Sequence, residues 1–339
     1  MTQTLDGVIY SIKGTRISFE ERKFFENTNP FGFILFKRNF INKKQIKLLI
    51  KDLKRVTKNK NLFVSVDQEG GRVQRFANDD FFKYSSQRKI GEIYQQNPTK
   101  AIKLAKNFSY FMGTELKEIH IDINFSPVAD LFFTYGNKII GDRSFGSDPN
   151  LVSELSGAFF QGFSESGIIP VLKHFPGHGR SKTDTHKFFS IVEAKKKELI
   201  NYDILPYKNN KNQLITMLAH ILYPNLDNKI ATYSQIIINS LLRGYCGFNG
   251  IVLSDDISML ALSENLESRI IKSYLGGCDV ILYCKGELNE MKQINKHVRP
   301  IQKKILEYFF KQYDKIKIVK ADIKEIEHRL LNFGLIKRG

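Results

Sequence analysis

The chain has 339 residues, 42% of them hydrophobic, with 52 Lys and Arg against 35 Asp and Glu, a formal net charge of +17, and three cysteines. The hydrophobic share excludes a disordered chain. The odd, sparse cysteines Cys246, Cys278 and Cys284, none in a CxxC pair, exclude a disulfide framework and suit a reducing compartment.

The basic residues are mostly Lys, spread through helix-like segments at 43–60, 195–197 and 303–320. That distribution reads as a solvated basic surface rather than a nucleic-acid groove, although it can steer anionic substrates. No apolar run approaches the ~18 residues of a membrane-spanning helix. Residues 1–16 lack a signal-peptide core, their apolar positions being interrupted by Asp6, Ser11 and Lys13. A soluble cytoplasmic protein is the expectation.

In chain order, short apolar runs predict strands at 7–10, 32–36, 62–67, 123–130, 169–174, 214–220, 250–255 and 279–284. Runs such as Phe33-Ile34-Leu35-Phe36 and Ile251-Val252-Leu253 suit strands buried on both faces. Helical patterns lie between most of them. Residues 43–56 space Ile46, Leu49, Ile50 and Leu53 along one helix face, and 99–119, 150–166, 234–245 and 262–275 read similarly. Segments 288–313 and 321–333 read as closing helices. Strand–helix alternation eight times over, with no linker or repeat, predicts an α/β fold: a single (β/α)8 TIM barrel over 1–339, with 285–339 as closing C-terminal helices. A doubly wound open sheet is the alternative.

The barrel is favoured by where polar residues fall. Asp67, Asp130, Lys173 with His174, His220 and Asp255 each end a predicted strand. In a parallel barrel all those ends open on one face, where active sites lie. This predicts an enzyme with a polar pocket.

Four stretches carry the chemistry. Asp255 follows the buried run Ile251-Val252-Leu253 and precedes Asp256. A carboxylate fixed by the sheet suits a nucleophile or base, and the competing reading is an N-cap for the next helix. Asp255 is favoured for chemistry and Asp256 for support. The second stretch is Lys173-His174-Phe175-Pro176-Gly177-His178-Gly179, followed by Asp184-Thr185-His186. Lys173 and His174 offer donors for sugar hydroxyls. In an extended loop Asp184 and His186 point to one side, where the carboxylate can orient the imidazole for proton transfer. A loop of ordinary solvated histidines and a metal site from His174, His178 and His186 compete, but the spacing matches no standard helical zinc motif.

The third stretch, Asp67-Gln68-Glu69-Gly70-Gly71-Arg72-Val73-Gln74-Arg75, lacks either nucleotide-loop pattern. There Asp67 can accept from two sugar hydroxyls and Arg75 can donate beside it, while Arg72 fits a surface salt bridge equally well. In the fourth, Gly141-Asp142-Arg143-Ser144-Phe145-Gly146-Ser147-Asp148-Pro149, Arg143 lies on the same face as the Asp130 strand end, with Phe145 placed to pack beneath it. A solvated surface arginine is the competing reading. Asp148 and Pro149 start the next helix.

Together these segments, with 217–224 and 253–259, resemble the glycoside hydrolase family 3 β-N-acetylglucosaminidases of the single-domain bacterial kind, in consistent order from about Gly7 to Cys284. The resemblance implies Asp255 as catalytic nucleophile and His186 as acid/base with Asp184 as its dyad partner. It implies that Asp67, Arg75, Arg143, Lys173 and His174 bind the terminal sugar. It also implies GlcNAc-1,6-anhydro-MurNAc, with or without its peptide, as substrate in peptidoglycan recycling, and no metal or organic cofactor. A monomer without nucleic-acid or membrane partners is the further expectation. Three features depart from the pattern: the basic Arg180-Ser181-Lys182-Thr183, Tyr233 where a smaller residue is common, and the tail after Cys284. Rival expectations are phosphorolysis on the same scaffold, a β-glucosidase of the family, whose usual second domain has little room here, and a non-catalytic sugar- or nucleic-acid-binding barrel.

Overall fold

Eight parallel strands close into a barrel in the computed structural model, which describes residues 4–57, 59, 61–185 and 188–338. They are β1 (Asp6–Ser11), β2 (Pro30–Leu35), β3 (Phe63–Val66), β4 (Ile123–Asn124), β5 (Ile169–Phe175), β6 (Ile215–Leu218), β7 (Ile251–Asp256) and β8 (Val280–Leu282). Each pairs with its sequence neighbours, and β1 with β8 closes the ring through Val8 opposite Ile281 and Ile9 opposite Leu282. The expected (β/α)8 barrel is what the chain forms.

Strand periodicity sorts the side chains into two cores. Alternate residues of a strand face opposite sides. Ile9, Ile34, Ile123, Val171, Ile215, Ile251, Leu253 and Val280 therefore fill the barrel interior. Val8, Tyr10, Phe33, Leu35, Val64, Val66, Leu172, Val252 and Ile281 face outward into the helix layer. Strands buried on both faces need the continuous apolar runs that the sequence shows.

The covering helices are α1 (Phe19–Phe25), α2 (Lys43–Val56), α3 (Gln87–Gln96), α4 (Pro98–Glu118), α5 (Pro149–Glu165), α6 (Ile236–Tyr245), α7 (Leu266–Gly276), α8 (Leu288–Asn295), α9 (Lys303–Tyr313) and α10 (Ile323–Asn332). Short polar side chains cap several of their N-termini, among them Asn42, Asn97, Asp148, Asn265 and Asp322. Pro98 and Pro149 stand in the first turn, where a missing N–H costs nothing. No helix among the described residues is long and apolar enough to cross a membrane.

Three expectations are corrected. The run 123–130 is strand only over Ile123–Asn124 and touches the ladder again at the single bridge Val128–Lys173. Pro127 between them has no N–H to give, and Asn124 turns its amide to Gln68 N and O instead. The segment 288–313 is two helices, because the chain around Pro300 leaves the helical path to bridge Asp6 beneath the barrel. The helices α1 and α3 lie outside every predicted segment. α1 is a short helix started by a Ser18–Glu21 capping box, and α3 carries only Ile90, Ile93 and Tyr94 as large apolar residues.

The lower end of the barrel is plugged by α9. Phe309, fully buried, sets its ring edge-on to Phe31 and Phe63 at 5.6 and 5.5 Å between centroids. Truncation there opens a cavity that the rigid strands cannot fill. Phe309→Ala should cost about 3–5 kcal/mol of stability, read as a lowered midpoint in urea unfolding. A midpoint unchanged within error would show that α9 does not hold the barrel floor.

Candidate active site

The side-chain parity that fills the interior also aims the chemistry. Asp255 lies two residues beyond Leu253, and Lys173 two beyond Val171, each on the inward face of its strand. Asp67 follows β3 with the parity of Phe63. All three therefore rise from the apolar layer at the upper end of the barrel. There Asp67, Glu69, Arg75, Arg143, Lys173, His174 and Asp255 line one cleft of about 460 Å³, ample for a small ligand.

The cleft is organised by charge. Lys173 Nζ lies 2.6 Å from Glu69 Oε1 and 2.9 Å from Asp67 Oδ1. Arg143 grips Glu69 with two parallel bonds, Nε to Oε2 and Nη2 to Oε1, both 2.8 Å, and also donates from Nη1 to the Ile139 carbonyl. Arg75 Nη2 reaches Asp67 Oδ2 at 3.3 Å. Burial alone would raise the Glu69 carboxyl, but the Arg143 and Lys173 charges overturn it and hold it down to about 2. Against the same burial, Lys173 and Arg75 drive Asp67 below the usual carboxylate range. Lys173 and Arg143 are raised in return by these carboxylates, although burial opposes it. Glu69, Lys173 and Arg143 are thus ionised at neutral pH in a nearly water-free setting and fixed by their own bonds.

Local sequence explains the placement of Asp67 and Glu69. They flank the start of a small hairpin, Gln68–Gly70 against Val73–Gln74. At Gly70 the backbone has φ of +95° and a Cβ would sit 2.3 Å from the Ser85 carbonyl, so only glycine fits. The turn brings Arg75 back over Asp67, with the Gln68 side chain accepting from Arg75 N.

A second cluster joins the Lys173–Gly179 stretch to the loop after it. Asp130 is fully buried. Its Oδ2 lies 2.7 Å from His174 Nδ1, and its Oδ1 accepts from the backbone N–H of His178 at 2.6 Å. Burial raises the Asp130 carboxyl, but His174 more than offsets it, leaving the group at about 2. His178, pushed down to about 4 by burial, is neutral near pH 7 and places Nε2 2.9 Å from Thr185 Oγ1. Thr185 lines the same cleft. Asp184 immediately precedes it, and its carbonyl accepts from Phe188 N. His186 lies outside the described residues.

Asp256 supports β7 as expected. Its carboxylate accepts from Ser258 N and Oγ and from Cys284 N. Neither acid of the pair caps a helix, since α7 starts later, at Leu266, capped by Asn265. His220 turns away to Thr232 Oγ1 and the Asp256 carbonyl, bracing the end of β7. Arg72 forms a half-exposed pair with Asp142 and binds carbonyls of 138–140, the surface role weighed for it. Phe145 packs edge-on against Phe159 in the outer core. Among the described residues no group of three His, Cys, Asp or Glu is arranged to hold a metal.

Glu69, Asp130 as an anchor, and His178 with Thr185 were not singled out from sequence as site residues. A signal for Glu69 exists: the two buried cations Arg143 and Lys173, with Arg75 beside them, call for more than one carboxylate.

A parallel barrel whose upper mouth carries carboxylates, cations and imidazoles around one ligand-sized cleft defines a (β/α)8-barrel enzyme. A model of the glycosyl hydrolase family 3 N-terminal domain matches residues 4–330, and the chain belongs to that family. A beta-hexosaminidase of Bordetella avium is 34% identical over 282 residues, 82% of this chain and 80% of that protein. One from Actinobacillus pleuropneumoniae is 36% identical over 282 residues, with the same shares. The crystal structure of NagZ from Neisseria gonorrhoeae in complex with N-trifluoroacetyl-D-glucosamine, 29% identical, superposes with a TM-score of 0.84 over 98% of this chain and 96% of that one.

Removing one charge from the first cluster leaves two buried cations short of a partner. Glu69→Gln should therefore destabilise the fold by about 3–5 kcal/mol, measured by urea unfolding, with loss of activity. Wild-type stability would mean that Lys173 and Arg143 need no such anion. His178 has a folded-state pKa below that of the unfolded chain, so the unfolded chain takes up the proton first. Stability should fall as pH drops from about 6.5 towards about 4, a slope that thermal unfolding should show to be shallower in His178→Asn.

Proposed function

We propose that the protein is a retaining β-N-acetylhexosaminidase that removes a terminal, non-reducing β-1,4-linked GlcNAc. Asp255 is the nucleophile and His186 the acid/base, oriented by Asp184. The observation that carries this reading is the meeting in one cleft of Asp255, the Asp67–Lys173–Arg143 cluster and Thr185, the residue between Asp184 and His186.

The chemistry is a double displacement. An Asp255 carboxylate oxygen attacks the anomeric carbon as the glycosidic C–O bond breaks, and His186 gives its proton to the departing oxygen. Water, losing a proton to His186, then displaces Asp255 and releases GlcNAc with its β configuration kept. Binding falls to Asp67, Arg75, Arg143, Lys173 and His174. Arg75 Nε supports this, being buried without a protein acceptor among the described residues. His174 has Nδ1 committed to Asp130, which leaves Nε2 for a sugar hydroxyl. Phe125, Met217 and Met259 give the cleft apolar walls suited to an acetamido methyl. The names of the curated relatives and the amino-sugar ligand of the gonococcal structure agree with such a substrate.

The natural substrate we infer is GlcNAc-1,6-anhydro-MurNAc, with or without its peptide, consumed in peptidoglycan recycling in the cytoplasm. A single barrel domain acts as a monomer, with 285–339 as closing C-terminal helices and no metal or organic cofactor required.

A 2-fluoro amino-sugar substrate should leave a covalent adduct on Asp255 by peptide mass mapping. An adduct on any other residue overturns the nucleophile. His186→Gly should lose about 10²–10⁴-fold on a disaccharide and far less on an activated aryl glycoside, whose leaving group needs no proton. Equal losses remove the acid/base role. In phosphate buffer the expected product is free GlcNAc, and GlcNAc-1-phosphate would instead establish phosphorolysis.

A further inference from the structure

The loop that carries Asp184 and His186 is tied at both ends. Ser181 Oγ and Ser190 Oγ, both buried, lie 2.6 Å apart, so the chain between them leaves and returns at one point. Asn137 N donates to the Ser181 carbonyl at 2.7 Å, and Leu222 N to that of Ser190 at 3.0 Å. Other bonds, from Thr183 N to Ser181 Oγ and from Phe188 N to the Asp184 carbonyl, close the loop on itself. Between these two ties lies the tip of the loop.

Thr185 sits at that tip, is 1% exposed and holds on two sides. Its hydroxyl meets His178 Nε2 at 2.9 Å. Its carbonyl accepts from Ala261 N at 3.2 Å, in the segment that follows Asp255 and β7. His178 is in turn fixed by its N–H to Asp130, the carboxylate that also holds His174. One buried anion thus sets both a sugar-facing imidazole and the imidazole that receives the loop.

We propose that Thr185 is a positioning residue whose hydroxyl, docked on His178, fixes the backbone between Asp184 and His186 at the cleft, in register with the sugar site through Asp130. This deepens the reading above and rests on His186 as acid/base. Loss of the hydroxyl lets the loop drift by a fraction of an ångström or more, and a proton donor displaced by about 1 Å can cost about 100-fold. The loss should appear only where the leaving group needs a proton.

The test compares Thr185→Val, Thr185→Ser and His186→Gly in the full chain. The measured quantity is kcat/KM on a GlcNAc-terminated disaccharide and on 2,4-dinitrophenyl β-GlcNAc, beside thermal midpoints. Thr185→Val should lose about 10- to 100-fold on the disaccharide and less than about 3-fold on the aryl glycoside, with Thr185→Ser close to wild type on both. Thr185→Ala serves if the valine variant does not fold. Full disaccharide activity without the hydroxyl, equal losses on the two substrates, or a serine variant as impaired as valine would each overturn the proposal. Selective loss in His186→Gly but not in Thr185→Val sinks the positioning role alone. No selective loss in His186→Gly sinks the acid/base reading and this inference with it.

Discussion

The mouth of the barrel depends on one buried contact, the Glu69 carboxylate held between Lys173 and Arg143. Each partner comes from a different part of the chain: a hairpin after β3, the end of β5 and the loop before α5. Their mutual attraction is strong because water is excluded, and the cost of excluding it is large enough that no member can be spared. Asp67 and Arg75 extend the same network outward to the cleft. The polar site is therefore assembled by its own charges on an apolar floor, before any ligand contributes.

That arrangement divides labour within the cleft. The Glu69 cluster is rigid and permanently ionised. The Asp130 cluster beside it contains a neutral imidazole and a hydroxyl, which hold Thr185 through a single uncharged bond. In the proposed reaction the first cluster recognises the sugar ring through fixed donors, and the second holds Thr185, beside the proposed dyad. Both halves are footed on β5, since Lys173 belongs to the first and His174 to the second.

Much of this was legible in the sequence. The eight strand cores could be read because burial on both faces demands uninterrupted apolar residues, and 251–253 or 33–36 have no other use. That Asp67, Lys173 and Asp255 open on one face followed from their places at strand ends. What escaped was set by contacts remote in sequence. Asn124 replaces strand bonds with its side chain, which shortened β4. Pro300 is drawn out of a helix by a bridge to Asp6. Gly91 in α3 lies where a Cβ would strike the Phe145 carbonyl at 1.8 Å, a requirement that no local propensity announces. Nothing local marks Glu69, whose two cations come from the loop before α5 and the end of β5.

The ring closes between its first and last strands, and Gly7 N and the Leu5 carbonyl are engaged by residues 299 and 301. During synthesis β1 therefore emerges long before β8 exists. At a translation rate of about 5–20 residues per second, its open edge waits roughly 15–50 s for a partner. Throughout that time a strand of Val8, Ile9 and Tyr10 is a free template for pairing with other chains. The protein's exposure to aggregation is thus greatest while it is still attached to the ribosome, and how fast it is made matters as much as how stable it becomes.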